Sequence, residues 1–368
     1  MEKQGTKLKD ILSSAVFACF IAVVFILNLV IPSPDVLSSE RRLPARFPEL
    51  TASSVLSGTF MARFEEYAAD HFIFRDEFRG INAFIVLGIY QQLDKSGLYR
   101  SNNVGIGEFK RTDEDAFVQT SEKIKRAAQS FDGLDMKIYY TILPDKSIYA
   151  EQFMPGLDMD RAEDIVTNQL GEYTYIRLAD VIGADSYYRT DIHWDQSKIT
   201  GVAGYLLSSM DANPIIVEHE KVLAGQFHGV YAGQLALPVP FEPLIYLDIT
   251  GLEVSYLNDK TQEFEAGPIY DISRLGGVDP YDIFLRGPQP LIVIKNNNVP
   301  ERELYLFRDS FGSSLAPLLT GAYSKITVID LRYIHLSIIS QFIEFIPGSD
   351  VLFSFGSQIF NNPSVLLS

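Results

Sequence analysis

Apolar residues run along this chain in three rhythms, and each predicts a different kind of element. From Ile11 to Ile31 the rhythm is continuous: "ILSSAVFACFIAVVFILNLVI" carries no charge and only Ser13, Ser14 and Asn28 as polar residues. A helix of that composition crosses the roughly 30 Å hydrocarbon core of a bilayer with its backbone groups satisfied internally. Lys3, Lys7 and Lys9 precede it and no small-residue cleavage pattern follows it. The segment therefore reads as an uncleaved single-pass anchor, with residues 1–10 in the cytoplasm and the rest of the chain on the extracytoplasmic side of the cell membrane. The apolar region of a cleaved signal peptide is the competing reading. Residues 32–56, with Pro32, Pro34, Pro44 and Pro48 among charges and serines, predict an extended tether.

Beyond the tether the rhythm becomes helical, then alternates. Within residues 57–109, Phe60, Phe64, Tyr67 and Phe78 fall at helical spacing and predict a pair of membrane-proximal amphipathic helices, with His71 read as packing or surface. Across residues 110–368, helix candidates at 114–131, 161–170, 196–210 and 337–345 alternate with apolar strand candidates at 136–144, 173–180, 290–298, 304–307, 325–334 and 350–356. That alternation predicts one large α/β domain, a flavodoxin-like, doubly wound sheet flanked by helices. Residues 213–287 break the pattern: "PIIVEHE", "LIYLDITG" and "LEVSYL" are short β-like runs between Gly, Pro and Asp, and predict a β-rich insertion, either a module or long decorated loops.

Composition removes some function classes. Lys+Arg 31 against Asp+Glu 47 gives a formal charge of −16, which repels phosphate backbones, so nucleic acid is not an expected partner. The one cysteine, Cys19, lies inside the apolar span, so disulfides and cysteine-type metal sites are not expected, nor is any cofactor.

The strongest chemical signal is "ELYLFRDSFGSSLAPLL". A β-like run meets a helix-like run with Ser310 at the junction, the edge of an α/β sheet where ligands bind and where helix N–H groups can face a developing oxyanion. Phe311 and Gly312 would supply such donors, and Gly312 would leave space for a substrate carbonyl. The alternative is that Ser310 is an ordinary helix N-cap. A nucleophilic serine needs a base, and the base needs an orienting acid. Asp191 and His193, in "YYRTDIHWDQSKITG", share one face if the segment is extended. His219, His228 and His335 remain rival bases. Trp194 is read either as a sugar-stacking wall or as core, Asn296 as a possible oxyanion donor, and Arg332 either as a substrate contact or as an ion-pair partner of Asp330 or Asp309.

Taken together, "SERRLPARFPELT", "LPDKSIYAEQFMP", "YYRTDIHWDQSKITG", "YDIFLRGPQPLIVIKNN", "LFRDSFGSSLAPLL" and "VIDLRY" resemble the bacterial DHHW-motif family, relatives of the alginate O-acetyltransferases with an SGNH-hydrolase-like domain. The resemblance implies Ser310 as nucleophile, His193 as base and Asp191 as orienting acid. Two departures stand out: Ile192 occupies the position of the first histidine of the name-giving motif, and Arg286 and Pro288 replace an expected glycine- and asparagine-containing stretch. The function so implied is a membrane-anchored O-acetyltransferase that acylates hydroxyls of an exported polysaccharide through a serine acyl-enzyme. Since a cytoplasmic acyl donor cannot reach such a domain, the resemblance also implies a multispanning membrane O-acyltransferase as acetyl supplier. An acetylesterase with the same three residues, or a non-catalytic polysaccharide-binding subunit, are the alternatives.

Overall fold

The computed structural model describes residues 2–151, 156–215 and 218–367. Helix α1 (Glu2–Val30) contains the apolar span; the 20 residues Ile11–Val30 are long and apolar enough to cross a membrane and are left unburied by the rest of the chain. Short α2 (Ala52–Leu56) forms the end of the tether, where extended chain was expected, and α3 (Thr59–Asp70) and α4 (Arg75–Phe84) follow it. The α3–α4 turn is tied to the end of α1, where Ile73 N–H donates to Asn28 Oδ1 at 2.8 Å. A hairpin of β1 (Leu98–Ser101) and β2 (Gly105–Glu108) leads into the α/β part.

That part contains α5 (Glu114–Gln129), β3 (Lys137–Leu143), α6 (Met159–Leu170), β4 (Thr174–Tyr175), α7 (Thr200–Ser209), β5 (Lys221–Phe227), α8 (Val230–Leu235), β6 (Glu242–Leu247), β7 (Leu252–Leu257), β8 (Phe264–Ala266), β9 (Leu291–Asn296), β10 (Glu303–Arg308), α9 (Phe311–Leu319), β11 (Lys325–Ile329), α10 (Leu336–Ile339) and β12 (Asp350–Gly356). The central sheet has eight strands in the order β4-β3-β12-β10-β11-β9-β7-β8. The first five run parallel; β9 pairs antiparallel with β11, and β7 and β8 continue the antiparallel wing. The chain is thus a mixed α/β protein with a large central sheet and one N-terminal apolar helix.

Strand alternation explains how the sheet is covered on both faces. In β10, Leu304 and Leu306 enter the core shared with α7 and α9, while Tyr305 and Phe307 enter the core shared with α5 and α6. On the second face α5 contributes Phe117, Ile124, Ala127 and Ala128 at helical spacing, and its N-terminus is capped by Asp113, which accepts from Ala116 N–H at 3.1 Å.

Four further expectations change. The helix expected over 337–345 is only α10, Leu336–Ile339; the β-branched Ile338, Ile339 and Ile343 lower helix propensity there. The strand expected over 173–180 is only β4, which pairs at the sheet edge. The stretch 213–287 is not one separate module, because β7 and β8 belong to the main sheet while β5 and β6 pair as a two-stranded sheet of their own. In "PIIVEHE", residues 216–217 lie outside the described residues, and β5 begins only after that run. Residues 152–155 of "LPDKSIYAEQFMP" likewise lie outside them.

Candidate active site

Ser310 sits where β10 turns into α9, at the carboxyl edge of the parallel strands. Its side chain does not cap the helix; instead Oγ is 3.0 Å from His193 Nε2. His193 Nδ1 donates to Asp191 Oδ1 at 2.7 Å, and the same oxygen accepts His193 backbone N–H at 3.0 Å. The structure therefore brings Ser310, His193 and Asp191 into one hydrogen-bonded relay across 117 residues of sequence. Ser310 is half-buried, His193 mostly buried and Asp191 fully buried.

The loop carrying Asp191 and His193 follows β4, and it reaches Ser310 because it is pinned at both ends. A bridge joins Tyr187 to Trp194, and Tyr188 N–H donates to His193 O at 3.1 Å. Gln196 Nε2 donates to Ser314 O of α9 and Gln196 Oε1 accepts Leu247 N–H, both at 2.8 Å. Beneath the loop, buried Lys146 from the end of β3 donates to the carbonyls of Tyr188 (3.0 Å), Arg189 (3.3 Å) and Asp191 (2.8 Å). Burial pushes the Lys146 ammonium down to about 8, against the pull of Asp191, Asp145 and Glu242. Ile192 points away from the relay into apolar packing.

The electrostatics of Asp191 are set by two opposed causes. Burial raises its carboxyl pKa, but the Arg41 guanidinium and the His193 imidazole outweigh that and hold it well below the usual carboxylate range. Arg41 Nη2 donates to Asp191 Oδ2 at 2.7 Å, and Val230 N–H donates to the same oxygen at 2.8 Å. An ionised, fully hydrogen-bonded carboxylate fixes the imidazole with its N–H toward Asp191 and its free nitrogen toward Ser310. Tyr281 completes the surroundings: its ring stacks flat on His193, with centroids 4.0 Å apart and planes at 10°.

The turn under Ser310 is rigid. Buried Asp309 accepts Phe311 N–H (3.0 Å) through Oδ1 and Gly356 N–H (2.6 Å) through Oδ2, locking the β10–α9 turn to the end of β12. Arg308, fully buried, lies 3.3 Å from Asp330. A Cβ on Gly312 would come within 2.4 Å of Arg308 Cβ. Gly312→Ala is thus expected to destabilise the fold by about 1–3 kcal/mol, the usual cost of overpacking, read as a lower denaturant midpoint; an unchanged midpoint would show that Arg308 yields freely.

Several sequence expectations are corrected by this geometry. Phe311 N–H is taken by Asp309 Oδ1, and Gly312 N–H donates to Asp309 O at 3.1 Å, so neither is a free oxyanion donor; Gly312 makes room for Arg308 rather than for a substrate. Among the described residues, the Ser310 N–H makes no hydrogen bond. Asn296 is at the opposite edge of the sheet, because β9 runs antiparallel to β11, and its side chain donates to Thr320 O. Trp194 has no exposed surface and packs against Phe311 and Tyr187 in the core, so it offers no stacking wall. Arg332 is bound bidentately by Asp330 at 2.9 and 2.7 Å. Of the rival histidines, His228 stacks on Phe241 and bonds Val239 O, His335 caps α10, and neither reaches Ser310. His71 stacks on Tyr67.

Three contributors escaped the sequence reading: Arg41, Lys146 and Tyr281. Lys146 had a faint signal, a lysine directly after an apolar strand in "TILPDKS". Arg41 and Tyr281 had none, since their contacts span 150 residues and a stacked ring, neither visible in local pattern.

No protein-family model matches the sequence, and no curated protein matches it. Solved structures do match in fold. PatB1 of Bacillus cereus, described with a sulfonyl adduct, superposes with a TM-score of 0.59 at 16% identity, covering 74% of this chain and 97% of that one. The O-acetyltransferase domain of Pseudomonas putida AlgJ matches more distantly, at a TM-score of 0.43 and 12% identity over 72% of this chain and 92% of that one. A DHHW family protein from Eubacterium siraeum matches with a TM-score of 0.58 at 17% identity, over 75% of this chain and 97% of that one, so the resemblance read from the sequence motifs has a counterpart in the fold.

Proposed function

We propose that this protein is a membrane-anchored, extracytoplasmic O-acetyltransferase whose SGNH-like α/β domain, spanning residues 110–368, moves acetyl groups to hydroxyls of an exported or cell-surface polysaccharide. The observation that carries the reading is the relay from Ser310 Oγ through His193 to Asp191, with distances of 3.0 and 2.7 Å. Its chemistry is acyl transfer in two halves. Ser310 Oγ attacks the acetyl carbonyl while its proton passes to His193 Nε2. The leaving group takes that proton as the donor ester bond breaks, giving an acetyl-Ser310 ester. A sugar hydroxyl, deprotonated by the same nitrogen, then attacks the acyl carbon; the acyl–Oγ bond breaks and Ser310 Oγ takes the proton back from His193 Nε2. The unpaired Ser310 N–H serves in this reading as a backbone donor to the oxyanion.

The glycan acceptor and the extracytoplasmic side are supported by the motif resemblance together with the apolar N-terminal helix. The same resemblance supports a multispanning membrane O-acyltransferase as supplier of the acetyl group. The test is to treat the purified full chain with an activated acetyl ester and map the modified peptide. One acetyl on Ser310, released faster when oligosaccharide is added and recovered on sugar, is the expected result. Release to water alone, indifferent to oligosaccharide, would make it an esterase, and equal labelling of Ser310→Ala would remove the acyl-enzyme.

A further inference from the structure

The tether does more than span distance. Residues 37–42 close into a tight loop in which Leu37 and Arg42 form an antiparallel bridge, with Leu37 N–H donating to Arg42 O at 2.9 Å. Arg41 stands in this loop at φ 53°, a left-handed conformation unfavourable for a residue with a side chain. The loop is seated by charge pairs with the membrane-proximal helices: Arg42 on Asp70 at 2.6 Å, and Glu40 with Arg75 and Arg79 at 2.5 and 2.8 Å. It also lies against α8, where a Cβ on Gly233 would meet Ser39 O at 1.9 Å, so only glycine admits this approach.

Seated in this way, the loop delivers a buried cation. The Arg41 side chain is only 10% exposed; Nη2 donates to Asp191 Oδ2 at 2.7 Å and Nη1 to Asp279 Oδ2 at 2.8 Å. The two carboxylates act on the same imidazole. Asp191 holds His193 Nδ1, while Asp279 Oδ1 accepts Tyr281 N–H at 2.9 Å and so fixes the turn whose ring lies flat on His193. One guanidinium thus braces both supports of one base, using the forked geometry that lysine lacks.

We propose that Arg41 is a positioning residue through which the docked juxtamembrane tether completes the catalytic site. This rests on the acyl-transfer reading above. The tether is then part of the machinery, and turnover depends on the loop at 37–42 staying in its seat.

The test compares full-length Arg41→Gln, Arg41→Lys and Ser310→Ala, with Arg46→Gln as a control at an exposed tether arginine. Acetyl-ester turnover is measured across pH, with and without guanidinium ion. Arg41→Gln is expected to lose about 10- to 100-fold in kcat/KM, the scale of one hydrogen bond to a charged group. Its acidic limb should move to higher pH, because Asp191, deprived of the cation that offsets its burial, takes up a proton more readily. The charged groups around the pair, Lys146, Asp195, Glu242, Asp279 and Asp282, are unchanged in all variants. Arg41→Lys should keep intermediate activity, and guanidinium should restore part of the Arg41→Gln loss, which a misfolded protein would not allow. Should Arg41→Gln fail to fold, Arg41→Lys decides: full activity with an unshifted acidic limb overturns the proposal. Arg41→Gln within twofold of the unaltered chain overturns it too, while an inactive Ser310→Ala leaves the catalytic reading standing. An active Ser310→Ala overturns the catalytic reading itself.

Discussion

Replacing His193 by alanine is expected to remove nearly all acetyl-ester turnover while leaving the fold in place. A serine hydroxyl is a weak nucleophile until its proton is taken, and a positioned base contributes about 10²- to 10⁴-fold. His193 Nε2 is the base within reach, 3.0 Å from Ser310 Oγ. Three other histidines are committed elsewhere: His228 to Phe241 and Val239 O, His335 to α10, His71 to Tyr67. Ser310→Ala should fall to a similar floor, and the double change should cost little more than the worse single one, because the two act as a unit. The measurement is turnover of the full chain at matched circular dichroism, with an arylsulfonyl fluoride as a second readout, since only an activated serine is sulfonylated quickly. Retained turnover in His193→Ala, with loss on changing His219, His228 or His335, would place the base elsewhere.

How much of this was readable from the sequence depends on the range of the forces involved. Helices α5 and α6 were legible because each buries one periodic face behind an aspartate cap, and strands β3, β10 and β12 because each is a short continuous apolar run buried on both faces. The direction of β9 was not. Its "LIVIK" reads equally well in either orientation, yet that orientation decides which edge Asn296 occupies, and it places Asn296 on the wrong one. The helix expected at 337–345 shortens to α10 because apolar periodicity takes no account of the β-branched Ile338, Ile339 and Ile343, which lower helix propensity. Within the site, the Asp191–His193 pair was legible because a two-residue spacing is a local geometric statement. Ser310 was legible because the strand-to-helix junction carries its own pattern. Gly312 was legible as a position where no side chain fits, but its neighbour turned out to be Arg308, a contact made through packing. Arg41 was out of reach for a different reason. An arginine in a proline-rich tether looks solvated, and only the closing of the loop at 37–42 onto α3, α4 and α8 makes it a buried partner of Asp191.

Asp191→Asn should separate orientation of the base from mere packing. The asparagine is nearly isosteric and can still accept from His193 backbone N–H, so circular dichroism should be unchanged. Its amide, however, presents a donor as well as an acceptor to His193 Nδ1, and the competing tautomer puts the proton on Nε2, where Ser310 then has no base. The same change in a well-studied serine protease costs on the order of 10⁴ in turnover, and a loss of that order is expected here. Two further consequences follow from the burial of this group. The Asp191 carboxyl is held below the usual range in the folded chain, so it contributes stability that is present above the unfolded carboxylate pKa of about 3.9 and lost as pH falls through the folded value. Asp191→Asn should erase that part of the acid dependence. It also leaves the Arg41 guanidinium facing a neutral group, and removing one partner of a buried ion pair typically costs about 3–5 kcal/mol; here Asp279 remains to carry Arg41, so the loss of stability should fall short of that range. The comparison that decides the point is Asp279→Asn, which leaves Asp191 and the tautomer alone: it should lower turnover far less than Asp191→Asn while costing comparable stability. If the two variants lose turnover equally, Asp191 serves only to hold Arg41 and its loop in place, and the relay drawn through it has no catalytic part.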